Sequence, residues 1–526
     1  MSDLKTTRIF KLKSFVCIVF SVLSIIQAIC FADEARSQSP SPEQIAKRID
    51  HRLLISKDDT PLRFADDATL LRRVSLDLSG RIPTISEVRN FLHDSSQTKY
   101  GQVVDRLMNS GVHVQNEATL WRRTWIPQAD TREYAEVADD FEMWVVKKLQ
   151  QGIRYDQLVR EVITWKDETA SNEIDPSGFY VANESKPENL AASATRAFLG
   201  INLDCAQCHD HPFSRWTREQ FWQTAAFFAE PKEQSDGSTM LVKVKVPDSK
   251  LEFAPKLLKE TKMEWPEHTD SVALKSILAD WILTEDQNYL ARNAINRMWS
   301  HYFGTGLVEP MDDLSSDASQ SGPRAELLNE LARIFVGSGY DTQLITSAIV
   351  LSDAYRLSSE QEGATDEPTG SNDLMMHAAR VRGLSADQLY NSLLTSAGRT
   401  STRSGARGDR RSEPRQTILL AFHVGRVGEA ERSISQALTL MNGSFTNALA
   451  TKANNPMLAS VLASPFMNFN DQIDTIFVAT LGRHAGEEER NAVHRYAESQ
   501  GNDDRERSLG DLYWAIINSP EFNTNH

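Results

Sequence analysis

Cysteine is scarce in this chain, which has only four among its 526 residues. Cys17 and Cys30 lie within the first thirty residues, and Cys205 and Cys208 lie three positions apart in the middle of the sequence. Such low cysteine usage excludes a small fold that is held together by several disulfides. It also singles out Cys205 and Cys208 as a pair whose spacing has a chemical meaning.

Basic residues are also in deficit. The chain has 57 Lys and Arg against 72 Asp and Glu, which gives a net charge of -15. General nucleic-acid binding requires a basic surface that neutralises phosphates, so we expect no nucleic-acid partner. The one basic segment, residues 399–415, contains six arginines and is interpreted as a solvated loop. A composition of 40% hydrophobic residues predicts a globular protein of two or three domains.

Several catalytic signatures are missing from the sequence. It contains no P-loop, no G-x-S-x-G and no H-E-x-x-H. Adjacent acids such as Asp312 and Asp313 lack the spacing of a calcium-binding loop and are interpreted as surface residues. The sequence therefore leaves open whether the protein is an enzyme.

The N-terminal segment has the pattern of a secretion signal. A basic stretch that contains Lys5, Arg8, Lys11 and Lys13 precedes an apolar run over residues 15–29. That run is short for a membrane span, so we predict a signal peptide at residues 1–30, followed by a flexible spacer at residues 31–42. The mature protein is expected to be periplasmic or secreted. Membrane association is expected only if the signal segment is retained as an anchor.

The sequence Cys205-Ala206-Gln207-Cys208-His209 has the C-x-x-C-H spacing of c-type haem attachment. Cysteines at this spacing on one helical turn can both reach the vinyl groups of a single porphyrin. His209, the next residue, would then be the proximal ligand of the iron. After signal cleavage these two would be the only cysteines left, so we predict a covalently bound haem c.

Two other structures are compatible with the same residues. The cysteines could close a short disulfide in an oxidising compartment. Alternatively, they could bind zinc in a tetrahedral site together with His209 and His211. His211 is too close in sequence to His209 to reach the opposite face of a haem.

A distal iron ligand would have to come from elsewhere in the chain. We predict His301 for this role, because it lies at the C-terminal end of a helix predicted at residues 288–302, where an imidazole is favoured. The predicted haem and metal ligands of the chain are therefore Cys205, Cys208, His209 and His301. Methionines compete with His301 as distal ligands, namely Met263, Met298 and Met311.

Hydrophobic periodicity predicts a mainly α, multi-helix protein with two helical halves and a small β hairpin or strand pair between them. We predict an N-terminal helical domain at residues 43–235 that contains the C-x-x-C-H motif, a β-containing connector at 236–265 and a C-terminal helical domain at 266–526. Capping boxes are predicted at Thr84 with Glu87 and at Thr217 with Gln220. One short strand is predicted at residues 178–181.

Five stretches carry a resemblance to known families. The sequences LRRVSLDLSGRIPT at residues 71–84 and CAQCHDHPF at 205–213 resemble the planctomycete cytochrome-C-associated domain. The second half resembles the planctomycete-specific domain that usually follows it, through NRMWSHYFGTGLV at 296–308, YRLS at 355–358 and INSPEF at 517–522. The resemblance implies an exported protein. Both domains are described as being of unknown function, so the resemblance assigns no reaction.

Two functions follow from these observations. The first is an exported c-type haem protein that exchanges electrons with a redox partner protein or carries out haem redox chemistry. The second is a cofactor-free or zinc-stabilised helical scaffold that binds another exported protein or an envelope polymer.

Overall fold

The described residues of the chain are mostly helical. The computed structural model describes residues 40–53, 62–131, 133–166, 174–211, 214–230, 242–247, 249–259, 271–284, 288–316, 321–360, 378–399, 413–422, 433–500 and 505–526. The prediction of a mainly α protein is confirmed. The predicted signal peptide and most of the predicted spacer lie outside the described residues. Among the described residues, no helix has the length and apolar character that a membrane span requires.

The first fourteen helices and two strands lie before residue 352. The helices are α1 Pro42–Leu53, α2 Asp67–Ser79, α3 Ile85–His93, α4 Lys99–Met108, α5 Gly111–Trp125, α6 Ala135–Gln150, α7 Tyr155–Thr164, α8 Ser177–Val181, α9 Pro187–Ala194, α10 Arg218–Ala225, α11 Ser271–Thr284, α12 Tyr289–Phe303, α13 Pro323–Gly337 and α14 Thr342–Leu351. The strands are β1 Val244–Lys245 and β2 Glu252–Phe253.

Ten helices and two strands follow. The helices are α15 Asp353–Arg356, α16 Ala386–Ser396, α17 Glu413–Ala421, α18 Ile434–Asn442, α19 Ser444–Leu449, α20 Pro456–Ala463, α21 Phe469–Leu481, α22 Glu487–Ser499, α23 Arg505–Ile517 and α24 Pro520–Asn523. The strands are β3 Arg382–Gly383 and β4 Thr524–Asn525, which pair antiparallel and so join the C-terminus to the segment before α16.

Side chains at the helix ends explain where several helices begin and stop. Helix α3 begins after Thr84, whose hydroxyl accepts from the Glu87 N–H while the Glu87 carboxylate accepts from the Thr84 N–H. Thr217 and Gln220 form the same reciprocal pair before α10. Both predicted capping boxes are therefore confirmed. Helix α2 stops at Gly80, which adopts the left-handed conformation with φ 62°.

The predicted β hairpin is confirmed, whereas the predicted strand at residues 178–181 is wrong. Strands β1 and β2 pair antiparallel, with Val244 opposite Phe253. Residues 178–181 belong instead to helix α8, which begins where the Asp175 carboxylate accepts from the Ser177 N–H at 2.9 Å. Gly178 lets this helix lie directly on α6, where an added Cβ would be 2.8 Å from the Cβ of Phe141. That tertiary contact overrides the local pattern of apolar residues.

Apolar side chains of the described residues form two large clusters. The first is built from residues between positions 45 and 355, and the second from residues between positions 384 and 522 together with parts of α2 and the turn after it. Helix α2 lies between them, because its Leu70 and Val74 belong to the first cluster and its Leu76 belongs to the second. A helix covered on several faces must bury its polar residues too.

The segment between the two predicted halves packs continuously with its neighbours. Val244 and Val246 beside the hairpin belong to the first apolar cluster, as do Phe221 of α10 before it and Leu274 of α11 after it. The boundary predicted at residues 236–265 stays a prediction about domain organisation. In the described part of the chain the two apolar clusters separate later, after α15.

Glycine at position 80 is required by both conformation and space. We expect Gly80→Ala to lower the free energy of unfolding by about 1–2 kcal/mol, because an L side chain is strained at φ 62°. Its Cβ would also lie 2.5 Å from Oδ1 of Asn116. Urea denaturation measures the effect. Gly101→Ala is the matched control: Gly101 lies in α4 with open space around it, so alanine should stabilise the protein by about 0.5–1 kcal/mol. Equal effects at the two positions would contradict this explanation.

Candidate functional site

The segment that leads into the C-x-x-C-H motif is attached to the loop after α12. Helix α9 continues into a π-helical turn, Thr195–Leu199, which ends at Gly200 with φ 63°. The carbonyl of Gly200 accepts from the Leu314 N–H at 3.0 Å, and the Asn202 N–H donates to the Asp312 carbonyl at 2.9 Å. A Cβ at Gly200 would lie 2.7 Å from Cδ1 of Leu314. These contacts hold the start of the motif in a fixed position.

The two cysteines lie on the same side of a tight turn. A 3-10 helix covers Asp204–Gln207, and Cys208 follows it directly. With three residues per turn, positions i and i+3 lie one above the other, so Cys205 and Cys208 share a face. Both thiols are free and exposed. Ala206 is fully buried beneath the turn, and Nε1 of Trp222 donates to the Gln207 carbonyl at 3.1 Å.

His209 has one ring nitrogen occupied and one available. Its Nδ1 lies 2.8 Å from the Asp210 carbonyl, and its ring is exposed. In the tautomer that donates from Nδ1 to this carbonyl, Nε2 carries a lone pair that no described protein group uses. A backbone acceptor at the second nitrogen is the arrangement that orients a metal-binding histidine. His209 is therefore suited to hold an iron through Nε2.

Asp210 connects the motif to helix α10. Its Oδ1 accepts from the Arg218 N–H at 2.9 Å, at the first residue of that helix. The His211 N–H donates to the Trp216 carbonyl at 2.9 Å, which closes the loop between motif and helix. These two hydrogen bonds therefore hold the end of the motif to the start of α10.

A chain of ion pairs lies on the other side of the motif. Arg196, in the π-helical turn, pairs with Asp204 immediately before Cys205. Arg196 also lies 3.9 Å from Asp312, which in turn pairs with Arg297 of α12. Two arginines are thus matched by two carboxylates, and this side of the motif carries little net charge.

The residues of the motif fit a covalently attached haem. The thiols are exposed, unpaired and on one face, and the imidazole beside them has a free nitrogen. In the core beside α10, a cavity lined by Ala194, Thr224 and Phe227 has a volume of about 10 Å³, enough for a single water and far too small for a porphyrin.

The alternative zinc site is less well matched by the geometry. It would require Cys205, Cys208, His209 and His211 to converge on one point. Across the described ranges, no three His, Cys, Asp or Glu side chains are placed to hold a metal ion. The structure has no bond between the two thiols, and the disulfide stays an alternative prediction.

The structure does not bring His301 to the motif. Its Nε2 lies 3.3 Å from the backbone carbonyl of Asp77, and its own carbonyl accepts from Nη1 of Arg382 at 2.5 Å. Burial lowers the pKa of His301, which keeps the imidazole neutral. One turn earlier on the same helix face, Arg297 pairs with Asp312 and leads back to the motif through the ion-pair chain. The role of His301 as distal ligand stays a prediction that these contacts do not support.

Of the competing methionines, Met298 is buried on α12 and Met311 is partly buried in the loop after it. Met263 lies outside the described residues. No described methionine is placed at the exposed face of the motif by a contact with it. His209 therefore stays the predicted proximal ligand, and the contacts of the described residues point to no distal ligand.

A second group of polar residues is largely buried, and its grouping was not predicted from the sequence. Asp77 of α2 has no exposed surface, and its carboxylate accepts from Nη2 of Arg382 at 2.8 and 3.1 Å. The Tyr355 hydroxyl donates to it at 2.7 Å and Nδ2 of Asn525 at 2.9 Å. We call Asp77, Arg382, Tyr355, Asn525 and His301 the Asp77 cluster.

The protonation of the Asp77 cluster follows from burial and charge. Burial alone would lower the pKa of Arg382, but the charge and hydrogen bonds of Asp77 raise it. Burial raises the pKa of Tyr355 well above its ordinary value. The arginine is therefore charged and the phenol neutral at physiological pH, and the cluster shows no group poised for proton transfer. Its arrangement is that of a structural ion pair.

Two family models match the chain and cover four of the five stretches that carry the family resemblance; the stretch at residues 517–522 lies outside both matches. Residues 45–233 match PSCyt2, described as "Protein of unknown function (DUF1549)", and residues 275–433 match PSD1, described as "Protein of unknown function (DUF1553)". Comparisons with curated proteins and with solved structures found no significant match. The chain therefore belongs to the proteins that carry these paired planctomycete domains of unknown function, in the order PSCyt2 and then PSD1.

Proposed function

We propose that this protein is an exported c-type haem protein with an electron-transfer or redox role. The observation that carries the proposal is the geometry of the motif: two free, exposed thiols on one face of a 3-10 turn, followed by His209 with an available Nε2. The name PSCyt2 is consistent with a cytochrome association. Export supports it as well, because c-type attachment occurs outside the cytoplasm, where the signal peptide predicted at residues 1–30 would direct the chain.

The chain's own residues have distinct roles in this proposal. A bound haem supplies a one-electron iron couple. Cys205 and Cys208 would hold the porphyrin through thioether bonds, for which both thiols must be reduced at the moment of attachment. His209 would hold the iron, and the Asp210 carbonyl, 2.8 Å from its Nδ1, orients the ring. The exposed position of the motif leaves the group accessible to a redox partner protein.

Rigidity around the motif favours such a role. The turn is fixed to the loop after α12 through Gly200 and Asn202, and to α10 through Asp210. Ala206 anchors it in the core. Supporting residues that do not move keep a cofactor in a constant environment when its charge changes. The scaffold function remains the alternative if no haem is attached.

The decisive experiment is a haem stain. The full chain is produced together with cytochrome c maturation factors, separated by denaturing electrophoresis and stained for peroxidase activity. We expect a stained band at the position of the protein, and none for the variant Cys205→Ser/Cys208→Ser. Both cysteines are exposed, so the variant should fold normally, which circular dichroism checks. An unstained wild-type band contradicts the proposal. Stoichiometric zinc in that case would indicate the zinc-stabilised scaffold, and its absence a cofactor-free one.

A further inference from the structure

Two arginines lie in the segment that follows the motif. Arg215 precedes Trp216, whose carbonyl accepts from the His211 N–H at 2.9 Å. Arg218 is the first residue of α10, and its N–H donates to the Asp210 carboxylate at 2.9 Å. Arg215 and Arg218 follow His209 by six and nine positions, and these two contacts hold the segment that contains them against the residues directly after His209.

Neither arginine pairs with a carboxylate in the part of the chain that the structure describes. Arg215 lies over the Trp216 ring, with Cζ 4.8 Å from its centroid, and donates to the Tyr289 hydroxyl at 3.2 Å. The Arg218 side chain is half-buried, and its Nε is buried without a hydrogen-bond acceptor. On the opposite side of the motif, Arg196 and Arg297 are both paired.

The lack of a carboxylate partner at Arg218 is unusual in an acidic protein. With 72 carboxylates available in the chain, an arginine that is partly withdrawn from water would ordinarily acquire a partner. A guanidinium presents a planar set of donors that matches a carboxylate in two parallel hydrogen bonds. An unpaired and partly desolvated Arg218 beside a cofactor motif therefore points to an anionic partner that the protein itself does not supply.

We propose that Arg218, assisted by Arg215, binds the propionate carboxylates of the haem, an inference that rests on the proposed function. A haem that is held by its vinyl edge at Cys205 and Cys208 carries both carboxylates on the opposite edge. The arginines lie in the segment that follows His209 and is bound to Asp210, whereas Arg196 and Arg297 of the ion-pair chain are already paired with carboxylates. Arg218 is then a positioning residue that fixes the outer edge of the porphyrin.

The pairing has an electrostatic consequence for the iron. A positive charge near the haem favours the reduced iron, which carries one positive charge less than the oxidised iron. It also favours the ionised propionate, whose pKa it lowers. Loss of the Arg218 charge should therefore lower the reduction potential and move the pH dependence of that potential to higher pH.

The test is a potentiometric titration of the haem-loaded full chain across pH. We expect Arg218→Gln to shift the reduction equilibrium by about tenfold, which is ~59 mV for a one-electron couple, toward the oxidised form. The pH at which the reduction potential changes should be higher in this variant than in the wild type. Arg218→Lys should have a reduction potential close to that of the wild type, because the positive charge remains. Arg215→Gln should lower the reduction potential by a smaller amount. Arg89→Gln is the control, since Arg89 is exposed on α3 and should change neither quantity.

Each outcome decides one question. A haem-loaded Arg218→Gln variant with the potential and pH profile of the wild type overturns the inference and leaves the proposed function intact. A shift in Arg89→Gln equal to that in Arg218→Gln overturns it too, because the effect would then be one of net charge alone. A wild-type chain without haem removes the proposed function and this inference with it. If Arg218→Gln does not fold, Arg218→Lys and Arg215→Gln still test the inference. A reduction potential in Arg218→Lys that falls by as much as about 59 mV would contradict it, because the lysine keeps the positive charge. An unchanged reduction potential in Arg215→Gln would contradict the assisting role of Arg215.

Discussion

Replacing Asp77 by alanine is expected to lower the free energy of unfolding by about 3–5 kcal/mol. The carboxylate is fully buried and is the partner of Arg382, which is itself almost fully buried. Without it, the guanidinium would remain in the core with its charge uncompensated, and the Tyr355 hydroxyl and Asn525 amide would lose an acceptor. Removing one partner of a buried pair costs far more than the pair itself contributes.

Urea denaturation followed by circular dichroism measures this effect. Glu326→Ala is the matched control, because Glu326 pairs with Arg52 at the surface at 3.2 Å and should change stability by less than about 1 kcal/mol. The double variant Asp77→Leu/Arg382→Met should recover part of the loss, since it removes both charges. A loss below about 1 kcal/mol in Asp77→Ala would show that the cluster is not held by this ion pair.

The Asp77 cluster brings together residues from three of the stretches that carry the resemblance. Asp77 comes from the stretch at residues 71–84, His301 from that at 296–308 and Tyr355 from that at 355–358. Two buried arginines of α2 extend the same junction through backbone carbonyls. Arg72 donates to the carbonyls of Thr480, Glu521 and Phe522, and Arg73 donates to those of Tyr355, Leu357 and His526.

These buried residues of the resemblance stretches are therefore structural. They join α2 to both apolar clusters and to the C-terminus. The thiols and the imidazole of the proposed haem site lie instead in the exposed stretch at residues 205–209. A family described only as being of unknown function is consistent with this division.

Helix positions could be predicted because their signals are local. Thr84 and Thr217 each have a partner three residues later, and Gly80 ends α2 where the apolar stripe ends. The strand predicted at residues 178–181 failed because the segment is short and Gly178 is needed for contact with Phe141, which lies 37 positions earlier. The local sequence of residues 178–181 does not predict that contact.

The Asp77 cluster could not be predicted for a related reason. Asp77 and Arg382 are 305 positions apart, and Asp77 and Asn525 are 448 apart. In the sequence Asp77 resembles a solvated residue on the polar face of α2. One signal was present: Leu76 lies off the stripe formed by Leu70 and Val74, which indicates that the helix is covered on a further side. The partners themselves are set by the fold alone.

His209 and His301 are expected to respond oppositely to replacement in the haem-loaded protein. His209→Ala removes the proximal ligand, so we expect the visible spectrum to change completely and added imidazole to restore it in large part. His301→Ala should leave the spectrum unchanged, because the ring faces Asp77 and Tyr302 and has no contact with the motif. It should instead lower the free energy of unfolding by about 1–2 kcal/mol through loss of the hydrogen bond to the Asp77 carbonyl.

The pH dependence of stability adds a second readout for His301. Because burial lowers its pKa in the folded protein, the unfolded chain binds a proton at higher pH than the folded one. His301 therefore destabilises the fold progressively as the pH falls below about 6.5, the ordinary pKa of histidine. His301→Ala should weaken this acid sensitivity, which urea denaturation at a series of pH values measures. Conversion of the spectrum to a high-spin form in His301→Ala would establish His301 as the distal ligand, and would require α12 to release its ring from Asp77 when haem is bound.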